Sequence, residues 1–391
     1  MNSTSEAVAH GSLKCNGCGA VLHYVPGTRE LQCAYCGESN PIISAVPHTA
    51  ITAIEYTSFL KAVNELPQAT DIKIVKCSSC GSETNFSGNE AAGKCGFCAS
   101  PLIIQLGKGY HSLKPHYILP FRLNEQEAGQ KFRDWLADLW FAPNDIVKEA
   151  KANVSLKGIY LPYWTYDCNT VTQYTGERGE YYYTKESYTV TVNGKTETRT
   201  REVRHTRWYS ASGTVYCDFE DVTIPASKSL PAETLEALNP WDFVDLQIYD
   251  ERYLSGFSAE TFQIKPDDGL EAAKIVMDST IESAIRNDIG GDEQRIFGYQ
   301  NQYLNLAIKY VLLPVWVSAY TYDRKVFQFS VNACTGEVIG KRPYSAIKII
   351  LAVILGLIVV AAIILFIAYV KAQNEMRETE AGLQSIGMLC L

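Results

Sequence analysis

The pattern C-x2-C-x14-C-x2-C occurs twice in this chain, and no other feature limits its possible folds so tightly. The first copy is Cys15, Cys18, Cys33 and Cys36; the second is Cys77, Cys80, Cys95 and Cys98, each 62 residues after its counterpart. A small unit with its connector is therefore repeated in tandem. Two C-x2-C pairs across a short loop bring four thiolates to one tetrahedral site, the arrangement of a four-cysteine zinc ribbon. Gly19, Gly37 and Gly81 follow the second cysteine of their pairs, where a chain bending sharply needs positive φ; Ala99 breaks the pattern. Tyr35 and Phe97 precede the last ligand of each unit and are expected to cover the sulfurs.

Two other uses of paired cysteines compete. A redox C-x-x-C belongs between a strand and a helix in a βαβ pattern, and no such pattern surrounds these residues. Disulfides need an oxidising compartment, and Met1 to Leu13 lacks the apolar core of a signal peptide. Zinc is the expectation at both sites. Four thiolates leave no open position for water, so the two zinc ions are expected to be structural.

The chain has 391 residues, 47% apolar and 20% charged, enough for one sizeable folded domain beside small modules. Its formal charge of −8 becomes −12 once eight thiolates and two zinc ions are counted. The repeats are not basic: Arg29 and Glu30 are the formal charges between Cys15 and Cys36, and Glu83, Glu90 and Lys94 those between Cys77 and Cys98. Nucleic-acid affinity rests mainly on Lys and Arg, so this balance favours a protein partner.

Between the repeats, Ile54 to Leu66 has helical periodicity through Phe59, Leu60, Val63 and Leu66, ends at Pro67, and is expected to dock one ribbon against the other or against the main domain. Asn124 and Glu127 have capping-box spacing for a helix through Phe132, Trp135, Leu136, Leu139 and Trp140, stopped by Pro143. A second short helix is expected over Asn144 to Ala152. Gly158 to Asp167 opens a strand-rich region. Asn193-Gly194 between Tyr181 to Val192 and Lys195 to Tyr209 is a strong hairpin signal, and the charge alternation of the arms predicts one wet face. Helices are expected at Ala232 to Leu238 and Leu270 to Asn287, the latter packing through Ala273, Ile275, Val276, Ile281, Ala284 and Ile285. Strands follow at Tyr310 to Tyr322, Lys325 to Val331 and Glu337 to Gly340. This is an α+β pattern. A Leu-Pro-apolar signature occurs at Leu119-Pro120-Phe121, Leu161-Pro162-Tyr163 and Leu313-Pro314-Val315, where proline fits the first residue of a strand.

Ile349 to Val370 is 22 residues without a charge, about 33 Å as a helix and enough to cross a bilayer core of roughly 30 Å. Lys341, Arg342 and Lys348 before it outnumber Lys371 and Arg377 after it, a weak positive-inside bias. With no signal peptide, the ribbons and central domain are expected on the cytoplasmic side. The chain divides into a flexible N-terminus (1–12), ribbon 1 (13–42), a connector with a helix (43–72), ribbon 2 (73–107), a central α+β domain of mixed antiparallel strands and helices (108–345), one transmembrane helix (346–371) and a short tail (372–391).

Catalytic signatures are absent from the sequence. Gly194-Lys195-Thr196 ends like a phosphate-binding loop, yet Thr189 stands where the first glycine belongs. No zincin, nucleophile-elbow or dinucleotide motif occurs. His23 and His116 read as surface and packing histidines, and Asp218, Glu220 and Asp221 as a solvated loop able at best to take a divalent cation. Cys168, Cys217 and Cys334 read as buried apolar residues. Core packing is expected to absorb most of the 24 tyrosines, with Tyr181-Tyr182-Tyr183 and Trp208-Tyr209 as candidates for a surface patch.

The two ribbons, Pro115 to Phe121, Trp140-Phe141-Ala142-Pro143, Gly158 to Asp167, Tyr253-Leu254-Ser255-Gly256-Phe257 and Leu312 to Trp316 together resemble a bacterial family of membrane-anchored double-zinc-ribbon proteins. Asn332-Ala333-Cys334-Thr335-Gly336 departs from that family's usual Asn-Gly-x-Thr-Gly turn. Members are often labelled zinc-ribbon proteins of the transcription-factor IIB type or primosomal replication factor Y-like helicases; the helicase label finds no nucleotide-binding loop here. The resemblance implies work beside phage-shock protein A homologues and flotillin-like proteins at the inner membrane during envelope stress. The expectation is a non-enzymatic membrane adaptor with two structural zinc ions, no small-molecule substrate and a protein partner. A membrane-tethered nucleic-acid-binding factor is the alternative.

Overall fold

In a computed structural model of the chain, residues 15–20, 22–42, 51–65, 73–76, 82–86, 92–94, 101–103, 113, 115–143, 145–146, 155–192, 195–260, 262–323 and 325–387 are described. They fall into two compact units, one drawn from Met1–Lys131, Ser155–Ala319 and Gln328–Gly340, the other from Phe132–Val154, Tyr320–Phe327 and Lys341–Leu391.

The first unit begins with a three-stranded antiparallel module, β1 (Leu22–Tyr24), β2 (Glu30–Cys33) and β3 (Ser39–Pro41), with His23 opposite Gln32 and Leu31 opposite Asn40. A two-residue strand β4 (Ile54–Glu55) leads into helix α1 (Tyr56–Glu65). Two hairpins follow, β5 (Lys73–Lys76) with β6 (Glu83–Phe86) and β7 (Ala92–Lys94) with β8 (Pro101–Ile103). After β9 (Tyr117–Ile118) comes α2 (Glu125–Asp138), whose first turn carries the expected capping box: the Glu127 amide donates to Asn124 Oδ1 at 2.9 Å and the Asn124 amide to Glu127 Oε2 at 2.8 Å. The helix ends at Asp138, before Pro143, because Trp140 and Phe141 already lie in a turn. The expected helix over Asn144 to Ala152 falls largely outside the described residues.

The largest sheet is built on two long strands, β10 (Lys157–Val192) and β11 (Lys195–Pro225), paired antiparallel from Tyr163↔Pro225 to Val192↔Lys195. That last pair leaves two residues for the connection, as the Asn193-Gly194 signal requires. Helix α3 (Ala232–Ala237), β12 (Gln247–Ile248), β13 (Ser258–Ala259) and helix α4 (Pro266–Ile289) separate this hairpin from β14 (Glu293–Tyr322), β15 (Lys325–Asn332) and β16 (Val338–Gly340). The strand order is β11-β10-β14-β15-β16, with β4, β9, β12 and β13 attached beside it. The β10–β11, β10–β14, β12–β9, β14–β4 and β15–β16 pairings are antiparallel, whereas β13 on β10 and β9 on β14 are parallel. The protein is thus a mixed α and β fold around a large, mainly antiparallel sheet.

The three Leu-Pro segments meet at the centre of that sheet. Leu161 pairs with Leu313, Pro162 with Leu312 and Tyr160 with Pro314, while Tyr117-Ile118 runs parallel to Val311-Leu312 and delivers Leu119-Pro120 to the same place. Pro162 and Pro314 therefore sit inside strands and not at their first residues, and Leu119, Leu161 and Leu313 are fully buried. Both faces are covered here. On one, Ile159, Leu161 and Tyr163 pack under Leu235, Leu238 and Trp241. On the other, Tyr160 lies against Phe121, Trp164 against Phe59 of α1 at 5.9 Å, and the Tyr166 hydroxyl donates to Pro266 O at 2.6 Å. Burying a side chain such as Phe59, 2% exposed, stabilises by about 2 kcal/mol.

Helix α4 buries Leu270, Ala273, Met277, Ile281, Ile285 and Ile289, steps of three and four residues along one stripe, with Gly269 buried beside them. Ile275 and Val276, expected to pack, stand off that stripe and are 74% and 53% exposed. The outer hairpin corrects a second expectation. Every side chain from Tyr182 to Thr189 is exposed, so both faces are wet. Cross-strand contacts hold it instead: Arg204 over Tyr181 at 4.2 Å, Arg207 over Tyr182 at 5.1 Å, Arg201 over Tyr188 at 5.7 Å, and an Arg201–Glu186 ion pair. Core packing does absorb Tyr160, Tyr163, Tyr166 and Tyr310, whereas Tyr182, Tyr183, Tyr188 and Tyr209 lie at the surface.

In the second unit Phe132 packs on Tyr320 at 5.8 Å and Tyr320 stacks on Phe327 at 5.5 Å. Trp140, expected in the helix, is 78% exposed. The Trp140 to Pro143 segment anchors the final helix, α5 (Ala346–Gly387): the Ser345 amide donates to Phe141 O at 2.7 Å and Lys348 Nζ to Ala142 O at 2.8 Å. Within α5, Ala346–Lys371 is 26 residues long, about 39 Å, and apolar enough to cross a membrane. Helix continues past this stretch to Gly387.

Candidate metal centre

Four of the eight cysteines singled out by spacing come together. The sulfurs of Cys15, Cys18, Cys33 and Cys36 all lie within 4.8 Å of one another, and this is the one such cluster among the described residues. Each C-x2-C pair is held by the same turn. The Cys15 amide donates to Ala20 O and the Gly19 amide to Cys15 O, at 2.7 and 2.8 Å; the Cys33 amide donates to Glu38 O and the Gly37 amide to Cys33 O, both at 2.9 Å. Closing such a turn takes the backbone into the left-handed region, where Gly19 has φ 75° and Gly37 φ 78°.

The geometry suits a metal. Cys15 Sγ lies 3.4 Å from Cys36 Sγ, and Cys18 Sγ 3.5 Å from Cys33 Sγ. Tetrahedral thiolates at a metal–sulfur length of about 2.3 Å stand roughly 3.8 Å apart, so a small expansion seats an ion. Cys15 and Cys33 are buried while Cys18 and Cys36 are exposed. The backbone N–H of Cys36, with help from that of Tyr35, lowers the Cys33 thiol to about 6. Tyr35 thus offers its amide to the sulfur, and its ring, expected as a cover, is 85% exposed. One neighbour was not anticipated: Glu38 lies in the loop after the second pair, and its Oε2 accepts from Cys15 Sγ at 3.2 Å.

The cysteine module is seated on the central sheet's surroundings by Tyr24. The Tyr24 amide donates to Ser255 O at 3.0 Å, the Ser255 hydroxyl donates to Leu22 O, and the Gly27 amide donates to Phe121 O at 2.8 Å. The Tyr24 hydroxyl donates to Phe121 O at 3.1 Å, and its ring meets Tyr253 edge-on at 5.1 Å and Phe257 at 6.1 Å. Tyr253-Leu254-Ser255-Gly256-Phe257 is therefore the surface that receives the module. Helix α1 packs against the central domain: the Tyr56 hydroxyl donates to Asp267 at 2.5 Å and Phe59 sits between His116 and Trp164.

Cys77, Cys80, Cys95 and Cys98, with Phe97 and Gly81, lie outside the described residues. The strands flanking them are paired, Lys76 with Glu83 and Lys94 with Pro101. The β6 edge reaches the central domain at Glu260, which is 2% exposed and accepts from the Glu83 amide, Ser227 Oγ at 2.5 Å, Gln263 Nε2 at 2.9 Å and Ser229 Oγ. Burial raises the Glu260 carboxyl to about 7.

The remaining candidates have structural partners. His23 lies beside Gly256 and His116 packs between Phe59 and Tyr117, with burial lowering its pKa. Asp221 is no open cation site, because Lys309 Nζ lies 2.8 Å from it and 2.7 Å from Asp167. Burial alone would lower the Lys309 pKa, but the two carboxylates outweigh it and leave the pKa above the usual lysine value. Asp218 accepts from Asn169 at 2.5 Å. Cys168 and Cys334 are buried as expected, and Cys217 is half-buried.

No family model matches the chain, and no solved structure matches it. "Uncharacterized protein YdjG" of Bacillus subtilis (strain 168) is 28% identical over 239 residues, 61% of this chain. The match covers 66% of that relative's length, just under two thirds.

Proposed function

We propose that the chain is a membrane-anchored adaptor: two structural zinc ribbons and a central α+β domain, held at a membrane by α5, recruit a protein partner without catalysing a reaction. The Cys15, Cys18, Cys33 and Cys36 cluster, closed by four sulfurs and seated on the central domain, carries the reading. A closed thiolate site offers a metal no open position for chemistry. The second ribbon, with Cys77, Cys80, Cys95 and Cys98, holds the second zinc ion by the same spacing. The apolar length of Ala346–Lys371 supports the anchor. The family resemblance supplies the setting, the cytoplasmic face of a bacterial inner membrane, and the class of partner, a phage-shock protein A-like or flotillin-like protein.

Two measurements test this. Elemental analysis of chain purified without added metal should give two zinc ions, falling to one in Cys15→Ser; no zinc in the wild type would refute the ribbons. Cross-linked capture from solubilised membranes should lose a partner in Cys15→Ser and Cys77→Ser. An unchanged partner list in both variants would remove the ribbons from the mechanism.

A further inference from the structure

The outer edge of the large sheet carries a feature that the ribbons leave unused. β11 is a terminal strand, and from Phe219 to Pro225 its free edge lies at the floor of a groove of about 800 Å³. The walls come from the two layers that cover the sheet. On one side stand Ile275 and Val276 of α4; on the other stand Trp241 and Phe243, just after α3. The β10–β11 register places Val222 and Ile224 on the face of Tyr166 and Trp164, the α4 side, and Thr223 and Pro225 on the face of Thr165 and Tyr163, the Trp241 side. Ile275 and Val276 are largely exposed, although the face of α4 that packs on the sheet is complete without them. Trp241 is 8% exposed, and its buried indole N–H has no acceptor among the described residues.

A free strand edge is a template for one more strand, and proteins usually blunt it with charge, proline or a cover. Here Pro225 ends the strand and a bulge at Asp221, φ 53°, interrupts it, and the short edge between them, Val222 to Ile224, stays open between apolar walls. A chain laid along it would point alternate side chains to opposite sides. Both sides are apolar, so the added strand has to be apolar at consecutive positions, as strands buried on two faces are. Glu220 and Glu236 line the groove, both exposed, and no lysine or arginine lines it.

We infer that this groove binds an extended segment of a partner protein by strand addition to β11, and that the segment is a short run of consecutive apolar residues flanked by Lys or Arg. Backbone hydrogen bonds to β11 supply affinity, and the Ile275/Val276 and Trp241/Phe243 walls select the side chains. Glu220 and Glu236 attract the flanking cations. The site goes beyond the adaptor reading in that it needs neither cysteine cluster.

The test uses the full chain in lipid nanodiscs and a displayed library of random octapeptides, counter-selected on empty nanodiscs. Selection should enrich apolar runs bordered by Lys or Arg. Synthetic versions should bind saturably and lose at least tenfold in affinity to Ile275→Glu/Val276→Glu, whose sites are exposed enough to leave folding intact. Glu220→Lys/Glu236→Lys should weaken these peptides about tenfold and favour versions with Glu in place of the flanking Lys. No enrichment above empty nanodiscs, or enriched peptides that bind both double variants like wild type, overturns the proposal. Peptide binding that persists in a chain whose partner capture ignores Cys15→Ser and Cys77→Ser would sink the ribbon reading and leave the groove standing.

Discussion

Glu260 ties the stability of the central domain to pH in a direction opposite to that of an ion-paired carboxylate. The side chain is 2% exposed and accepts hydrogen bonds from Ser227, Ser229 and Gln263, all of them neutral groups. Desolvation raises its pKa from 4.5 to about 7. Below pH 4.5 the folded and unfolded chains both hold the proton, and the contribution to stability is complete. Between pH 4.5 and 7 the unfolded chain releases the proton while the folded chain keeps it, so stability falls as pH rises. Above pH 7 both states are ionised and the loss levels off. A displacement of this size corresponds to about 3 kcal/mol across the window, at about 1.4 kcal/mol per pH unit. Glu260→Gln keeps the shape and the carbonyl acceptor but cannot titrate. Urea unfolding of wild type and variant in the same detergent, followed by tryptophan fluorescence at each half pH unit, gives a difference in which other titrating groups cancel. The variant should gain on wild type by about 3 kcal/mol between pH 4.5 and 7.5. Parallel curves for the two proteins would refute the reasoning.

Tyr24→Ala should cost about 3 kcal/mol, as for other buried aromatics, and limited proteolysis should then release residues 15–42 faster while the central domain keeps its near-ultraviolet dichroism. Lys309→Met leaves Asp167 and Asp221 facing each other without their shared cation; a loss of about 3–5 kcal/mol is expected in denaturant unfolding, and adding Asp221→Asn should recover part of it. Glu38→Gln removes a carboxylate 3.2 Å from Cys15 Sγ. Once that thiol is a thiolate the two repel, so the variant should hold zinc several-fold more tightly in a chelator competition; equal or weaker binding would show that Glu38 turns away at no cost.

What could be read from the residues was what local chemistry determines. The spacing of Cys15, Cys18, Cys33 and Cys36 identified a cluster because a knuckle is closed by its own backbone. The Asn124–Glu127 box and the tight pairing of Val192 with Lys195 were legible for the same reason. Distant contacts were not legible. Nothing near Tyr24 announces that it rests on Ser255, some 230 residues away. The start of β14 was missed because Glu293 to Lys309 is rich in Gln, Asn and Tyr, and the pairing that makes it a strand comes from β10. Ile275 and Val276 look like core in a helical count; the sheet, and not the helix, decides which stripe of α4 is buried. The α+β class was visible, whereas the length of β10 and β11 was hidden by arms too polar to suggest a sheet.

The seat of the cysteine module has a kinetic consequence. Residues 15–42 are too few to form a core of their own, so the module is fastened at two ends, by sulfurs at one and by Tyr24 at the other. An ion that leaves the four sulfurs would find them still held near their places by β1 and by the backbone bonds to Ser255 and Phe121. Recapture is then a local event that does not wait for the module to refold. A metal ion held there should accordingly exchange through a partly attached state, and the aromatic surface formed by Phe121, Tyr253 and Phe257 should stay covered while it does.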